Sequence, residues 1–122
     1  MAKMQIYRVF TFEAAHSLPH VPPQHKCRRV HGHSYRVTLY LEGEVDPQLG
    51  WVEDFGTVKD IAGPVIRQLD HRYLNDIPGL ENPTAEHIAR WLWKRIKPLL
   101  PLLTKIEVAE TPRSGCIYEG ED

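Results

Sequence analysis

Four stretches of the chain alternate hydrophobic and polar side chains with a period of two, which is typical of half-buried β-strands. The first and longest covers residues 4–13 and is rich in β-branched and aromatic residues. The other three cover residues 33–44, 103–111 and 116–119, and the last of these is short. The pattern therefore predicts four strands.

Two further segments repeat apolar residues at spacings of three and four, the period of an amphipathic helix. The first segment follows Asp54, a favourable N-cap residue, and the second begins at Thr84. The apolar stripes consist of Phe55, Val58, Ala62, Val65, Ile66 and Leu69 in the first segment and of Ile88, Trp91, Leu92, Ile96 and Leu99 in the second. Pro64 lies inside the first stripe, so we expect either a kink there or a later helix start. Pro98 weakens the last turn of the second helix.

The order of elements is therefore ββααββ, which predicts an α+β domain. We expect a four-stranded antiparallel sheet with a helix pair on one face, forming a single domain over residues 1–122. Such a sheet leaves two open edges, and oligomerisation is one way to cover them.

The composition excludes several classes of protein. Fifteen Lys and Arg residues against sixteen Asp and Glu residues give the 122-residue chain a net charge of -1. That balance argues against binding to nucleic acid or to an anionic membrane through bulk charge. The apolar runs are too short to span a bilayer, and no apolar signal region is present at the N-terminus. Two cysteines are too few for a disulfide scaffold, so we expect a cytoplasmic protein with reduced thiols.

The residues with the clearest chemistry are histidines in and around the irregular stretch 14–32. His31 and His33 lie two residues apart, so on a strand their imidazoles point to the same face. His16 ends the first strand and approaches this pair if the two strands are neighbours. Three neutral histidines are a ligand set for Zn²⁺ with a fourth position open to water or substrate. His-x-His pairs also occur as solvated or core-edge residues, so the spacing alone leaves the metal open. Three further histidines are interpreted as solvated residues of loops or of a helix surface: His20, His25 and His87.

Three further positions are candidates for acid–base chemistry or binding. Cys27 lies four residues before His31, and its cationic neighbours Lys26, Arg28 and Arg29 favour a thiolate. A buried structural cysteine is the alternative for Cys27, and it is the interpretation for Cys116. Asp70 and His71 are adjacent, so the carboxylate can orient the imidazole, although a helix C-terminal histidine is an equal alternative. Glu110 near a strand end is either an exposed charge or a carboxylate that accepts two parallel N–H bonds.

Together these residues lie in motifs that resemble the 6-pyruvoyl-tetrahydropterin synthase family, and most closely its bacterial 6-carboxytetrahydropterin synthase branch. The resemblance covers nearly the whole chain, and its specificity comes from six motifs in the expected order. These are Phe10-Thr11-Phe12-Glu13-Ala14-Ala15-His16, Cys27-x-x-x-His31-Gly32-His33, Trp51-Val52-x-Asp54-Phe55, Leu69-Asp70-His71-x-Tyr73-Leu74-Asn75, Glu81-Asn82-Pro83-Thr84-x-Glu86 and Glu110-Thr111.

The resemblance implies a tunnelling fold in which trimers of ββααββ subunits close a barrel and stack as a homohexamer with sites at subunit interfaces. It implies that His16, His31 and His33 bind zinc and that Cys27, Asp70 and His71 carry protons. It further implies that Glu110 anchors the pterin.

The implied substrate is 7,8-dihydroneopterin triphosphate, which the 6-carboxy branch converts to 6-carboxytetrahydropterin, acetaldehyde and triphosphate in queuosine biosynthesis. The short gap from Cys27 to His31 favours that branch. The alternatives are a 6-pyruvoyl synthase, which eliminates triphosphate without breaking a C–C bond, and a pterin- or metal-binding module without turnover. Lys26, Arg28 and Arg29 are candidate triphosphate contacts.

Overall fold

The computed structural model describes residues 2–121, so the outermost residues of the expected domain, Met1 and Asp122, lie outside it. Its elements are β1 (Lys3–His16), β2 (His31–Glu44), α1 (Phe55–Arg67), β3 (Arg72–Tyr73), α2 (Ala85–Ile96), β4 (Leu103–Thr111) and β5 (Ser114–Tyr118). Two short 3₁₀ turns lie at Lys26–Arg28 and Leu74–Asp76. The order of the main elements is the expected ββααββ.

The sheet has five strands in the order β3–β1–β2–β4–β5. The β1–β2, β2–β4 and β4–β5 pairs are antiparallel, as expected. The fifth strand is β3, which pairs in parallel with only Ala14 and Ala15 of β1. Two residues are too few for an alternating pattern, so the sequence pattern predicted no strand at the position of β3.

The first two strands are longer than the alternation predicted. β1 continues to His16 and β2 begins at His31, so the irregular stretch covers residues 17–30 and not 14–32. The additional pairs are formed by small residues and histidines, with Ala14 opposite His33 and His16 opposite His31. These residue types carry no apolar alternation, and their strand conformation is established by the ladder.

Both helices begin where their N-cap residues predict. The Asp54 carboxylate accepts a hydrogen bond from the Gly56 N–H at 2.9 Å, and the Thr84 hydroxyl accepts one from the His87 N–H at 3.1 Å. Helix α1 runs without interruption through Pro64, so the expectation of a later start is wrong. Helix α2 ends at Ile96, before Pro98.

The helices cover one face of the sheet, and the core lies between the two layers. Alternate residues of β2, from Tyr35 to Leu41, are fully buried against Val58, Ile88 and Leu92 of the helices. The opposite face exposes Tyr7, Val9 and Ile117. Within residues 2–121, β5 has no strand on its outer side, and β3 covers only one end of β1, so the sheet is open at both edges. No helix in the described part of the chain is long and apolar enough to cross a membrane.

Candidate active site and metal centre

The β1–β2 ladder brings three histidines together on the helix-facing side of the sheet. His16 lies directly opposite His31, and His33 follows two residues later on the same face. The ring centroids of His16 lie 4.5 Å from His31 and 5.0 Å from His33. One ligand nitrogen from each ring lies within 4.8 Å of the others. The geometry therefore allows the three imidazoles to share one ion.

Backbone carbonyls fix which nitrogens face the centre of the cluster. His16 Nδ1 lies 2.8 Å from the Pro83 carbonyl oxygen, and His31 Nδ1 lies 2.8 Å from that of Arg29. A carbonyl oxygen only accepts, so each Nδ1 carries the proton and each Nε2 keeps its lone pair. Histidines that bind a metal through one ring nitrogen usually donate the N–H of the other nitrogen to such a carbonyl.

Two nitrogens of the cluster lack a hydrogen-bond partner within the described part of the chain. Nε2 of His16 and Nε2 of His33 are buried and accept or donate no hydrogen bond within residues 2–121. Orphaned buried nitrogens are unfavourable unless something binds them. Three neutral imidazoles, two of them with unpartnered nitrogens, fit a borderline-soft divalent metal ion.

Burial also favours the metal-binding form of two of these rings, His16 and His33. It lowers the pKa of His16 below its ordinary value, against the opposing effect of the Pro83 carbonyl. Burial lowers the pKa of His33 as well, and the neighbouring Glu110 carboxylate partly offsets this. The neutral ring is the coordinating form of histidine.

Glu110 lies on the helix-facing side of the sheet, at a bulge in β4. Ala109 pairs with Gly115 and Thr111 pairs with Ser114, which leaves Glu110 as the extra residue. Strand alternation from the buried Ile106 and Val108 places Glu110 on the face of the histidines, and its Oε2 lies 3.7 Å from His33 Nε2. A Cβ atom at Gly115 would lie 2.6 Å from the Val108 carbonyl oxygen, so the bulge requires glycine there. Glu110 also lines a recess of about 180 Å³ together with Glu86 and Cys116.

Asp70 and His71 form the dyad that their adjacency allowed. Asp70 Oδ2 lies 3.1 Å from His71 Nδ1, and Asp70 Oδ1 accepts the Glu13 N–H at 2.9 Å. That backbone hydrogen bond is the main reason why the pKa of Asp70 is lowered. The His71 N–H donates to the Glu13 carbonyl at 2.6 Å, so the backbone of Glu13 holds both members of the dyad.

The backbone of His71 is strained at the dyad. Its φ is 58°, in the left-handed region that non-glycine residues rarely adopt. Such outliers are concentrated at functional sites, where the surrounding structure holds them. The His71 side chain is 79% exposed, so the imidazole is free to meet another molecule.

The dyad and the histidine cluster share only His33 as a common neighbour within one chain. His71 lines a cleft of about 530 Å³ that also includes Glu13, His33 and Ser34, but not His16, His31 or Cys27. Strand alternation places the side chains of Glu13 and Ser34 on the sheet face opposite to His16 and His33, and they bond to each other at 2.6 Å. No hydrogen bond or ion pair within residues 2–121 joins the dyad to the cluster.

Cys27 is half-buried in the 3₁₀ turn of the loop that joins β1 and β2. Its N–H donates to His25 Nδ1 at 3.0 Å, and its carbonyl accepts the Leu18 N–H at 2.8 Å. His25 is exposed on the loop, as expected, and its ring has the additional role of capping the turn. Among the cations around the thiol, Arg28 donates to the Val21 carbonyl at 2.8 Å, so part of its capacity holds the loop.

The remaining predicted residues are placed without a site contact. His20 is exposed on the same loop. His87, also interpreted as solvated, has its Nδ1 2.7 Å from the Asn82 carbonyl oxygen. Burial raises the pKa of Cys116 to about 11, in keeping with a structural thiol.

Sequence reasoning missed the groups that orient the three histidines, the dyad and Cys27. These are the Pro83 and Arg29 carbonyls, the backbone of Glu13 and the imidazole of His25. Every residue has a carbonyl, so only His25 had a sequence signal, as an acceptor just before a short turn.

Comparison with known proteins gives one consistent result. The family model described as 6-pyruvoyl tetrahydropterin synthase matches residues 5–121. A 6-carboxy-5,6,7,8-tetrahydropterin synthase from Synechocystis is 43% identical over 93% of this chain and 91% of its own length. A dihydroneopterin monophosphate aldolase from Pyrococcus furiosus is 38% identical over 79% of this chain and 76% of its own length.

A solved structure has the same fold over nearly the whole chain. The 6-pyruvoyl tetrahydropterin synthase of Caenorhabditis elegans superposes with a TM-score of 0.91 at 30% identity, covering 99% of this chain and 98% of its own. The expected tunnelling fold is thereby confirmed.

Proposed function

Since the chain belongs to the 6-pyruvoyl tetrahydropterin synthase family, we propose that it is a zinc-dependent 6-carboxy-5,6,7,8-tetrahydropterin synthase. The substrate is 7,8-dihydroneopterin triphosphate, and the products are 6-carboxytetrahydropterin, acetaldehyde and triphosphate. This activity belongs to queuosine biosynthesis in the cytoplasm. The working form is a homohexamer built as a dimer of trimers.

The observation that carries the proposal is the pair of orphaned Nε2 atoms in the cluster of His16, His31 and His33. Zn²⁺ suits this ligand set, since three histidines leave one position for substrate. Zinc held there would polarise the side-chain hydroxyls of the substrate and make the adjoining C–H bonds more acidic.

Glu110 supports a pterin as the ligand beside this cluster. The aminopyrimidinone edge of a pterin presents two parallel N–H donors, and a carboxylate accepts both in one plane. Glu110 lies within 3.7 Å of His33, so a ring anchored on Glu110 has its substituents directed along the histidine cluster.

Cys27, His71 and Asp70 supply the proton transfers. As a thiolate, Cys27 moves protons between the side chain and the ring of the substrate. His71 is the second proton carrier, and Asp70 holds its Nδ1 and stabilises its charged form. Because no hydrogen bond or ion pair within residues 2–121 joins the dyad to the cluster of the same chain, His71 serves the site of a neighbouring subunit.

Two observations favour the 6-carboxy product over the 6-pyruvoyl product. The 6-carboxy synthase from Synechocystis is 43% identical, against 30% for the 6-pyruvoyl synthase from Caenorhabditis elegans. In addition, only three residues separate Cys27 from His31.

Incubation of the purified chain with 7,8-dihydroneopterin triphosphate and zinc tests the proposal. We expect acetaldehyde and 6-carboxytetrahydropterin in equal amounts, measured by derivatisation and by chromatography. Triphosphate without acetaldehyde would establish the 6-pyruvoyl reaction instead. A two-carbon fragment that keeps its phosphates would indicate aldol cleavage, and binding without products would indicate a non-catalytic module.

A further inference from the structure

The loop of residues 17–30 that carries Cys27 is held at a small number of points. Within it, the Leu18 N–H donates to the Cys27 carbonyl at 2.8 Å, and the Arg28 N–H donates to the His25 carbonyl at 3.0 Å. The Arg28 side chain donates to the Val21 carbonyl at 2.8 Å. The loop has no regular ladder, so its conformation depends on these individual hydrogen bonds.

Within residues 2–121, only one side chain bonds directly to the backbone of Cys27. His25 is the N-cap of the 3₁₀ turn, with an extended backbone at φ -68° and ψ 135°, and its Nδ1 accepts the Cys27 N–H at 3.0 Å. An acceptor at the N-cap satisfies a backbone N–H that the turn itself leaves free. The imidazole therefore fixes the residue that carries the thiol.

We propose that His25 is a positioning residue that holds the Cys27 thiol in place for catalysis. The inference rests on the proposed role of Cys27 in proton transfer. His25 touches the backbone of Cys27 and not its sulfur, so it acts through the conformation of the turn. Histidine is an uncommon N-cap residue, and the side chains that replace it best as acceptors are Asn, Asp and Ser.

Release of the loop changes two measurable quantities in opposite directions: the rate at which reagents reach the Cys27 thiol, and kcat. A released turn exposes the half-buried thiol more often, so reagents in solution reach it faster. The same release lowers the fraction of time in which the thiol stands at the substrate, so kcat falls. An imidazole that activated the sulfur chemically would instead make both quantities fall together when it is removed.

The test compares His25→Leu, which lacks an acceptor, with His25→Asn, which keeps one, and with His20→Leu as a matched control on the same loop. The first measurement is the iodoacetamide alkylation rate of Cys27, resolved by mass spectrometry, with Cys116 as an internal reference thiol. The second is kcat and KM with 7,8-dihydroneopterin triphosphate. Zinc content shows whether each variant keeps an intact metal centre.

For His25→Leu we expect Cys27 to alkylate roughly fivefold faster and kcat to fall roughly fivefold, the size of a lost N-cap bond, with KM unchanged. His25→Asn should return both values to within about twofold of the parent chain, and His20→Leu should change neither.

Three results would overturn the inference: unchanged alkylation and kcat in His25→Leu, a parallel fall of both, or failure of His25→Asn to restore them. The alkylation arm needs no substrate. If the parent chain does not turn over the pterin, the proposed function fails, while the alkylation rates still decide whether His25 holds the thiol.

Discussion

At the scale of single residues, the metal centre depends on a small number of nitrogens. His31 is only partly buried, so its ring can be removed with less disturbance of the core than the buried ring of His16. In His31→Ala we expect the bound metal to fall well below one ion per chain. Loss of a group that only hydrogen-bonds to a ligand weakens metal sites by about 10- to 100-fold, and loss of a ligand should exceed this. Elemental analysis after dialysis measures the ratio.

The matched control for this substitution is His20→Ala, which removes an exposed imidazole from the neighbouring loop. It should keep the metal content of the parent chain. Circular dichroism and gel filtration establish that both variants are folded. One tightly held ion per chain in folded His31→Ala would show that the ligand set is wrong.

Glu110 gives a second prediction at this scale, concerning substrate affinity. In Glu110→Gln one of the two carboxylate oxygens becomes an amide donor, which faces a donor on the pterin edge. Hydrogen bonds to charged groups contribute about 1.5–3 kcal/mol, so we expect KM to rise about 10- to 100-fold. The change in kcat should be smaller, because the proton carriers remain.

Glu107→Gln provides the comparison, since Glu107 lies on the same strand and accepts the Tyr40 hydroxyl at 3.0 Å, away from the histidines. Its KM should stay near that of the parent chain. Equal KM values for the two variants and the parent would make Glu110 an ordinary strand charge.

The predictability of the site from sequence differed between side chains and backbone. The pair His31 and His33 was readable because strand alternation fixes the direction of residues two apart. The direction of Glu110 was readable in the same way, because it follows Ile106 and Val108 at a spacing of two, whereas the bulge at Glu110 had Gly115 as its only local signal. The carbonyl partners of His16 and His31 had no signal at all, since they come from segments that only the fold brings near.

At the scale of elements, helix α1 contains a residue that destabilises it. Pro64 is exposed inside the helix and has no N–H to donate to the carbonyl of Asp60, four residues earlier. Pro64→Ala restores that donor and removes no core contact. An interior proline costs a helix about 3 kcal/mol, and part of the gain is offset by a more flexible unfolded chain. We expect a net stabilisation of about 1–2 kcal/mol, seen as a higher Tm at fixed protein concentration.

Lys59→Ala is the reference for this measurement, because Lys59 is an exposed α1 position that already has its N–H. Its Tm should change by much less than that of Pro64→Ala. A lower Tm for Pro64→Ala would mean that the proline itself contributes to packing.

The elements with a clear periodicity were predicted well, whereas β3 and the adjoining ends of β1 and β2 were not. Asp54 and Thr84 marked both helix starts because an N-cap bond is local in sequence. The ends of β1 and β2 around His16 and His31, and the whole of β3, are determined by pairing with distant segments. Ala, Gly and His in these stretches have no alternation that would reveal such pairing.

At the scale of the whole molecule, one chain contains all the proposed groups, but its own contacts do not join them. His71 and His33 line one cleft, whereas His16, His31 and Cys27 lie outside its lining, and no hydrogen bond or ion pair within residues 2–121 joins the dyad to the cluster. Open edges on β1 and β5 allow further copies to extend the sheet. An oligomer of identical chains repeats every contact, so a dyad that makes no bond to the cluster of its own chain can serve the next one.

This arrangement predicts that two inactive variants restore activity when they assemble together. In Cys27→Ala the thiol is lost, and in His71→Ala the second proton carrier is lost, so each variant alone should be nearly inactive. If a site takes Cys27 from one subunit and His71 from another, random mixing of equal amounts leaves about one quarter of the sites intact. Co-expression with two different affinity tags isolates the mixed oligomers, and acetaldehyde release measures their activity.

Two variants that lack the same group, Cys27→Ala and Cys27→Ser, are the control, because no mixture of them contains an intact site. If each chain instead completed its own site, mixing Cys27→Ala with His71→Ala would also produce no intact site. Activity at the level of that control, in oligomers shown by their tags to be mixed, would therefore place the thiol and the dyad in one chain. Recovery would establish the shared site, because only subunits in contact can exchange these two groups.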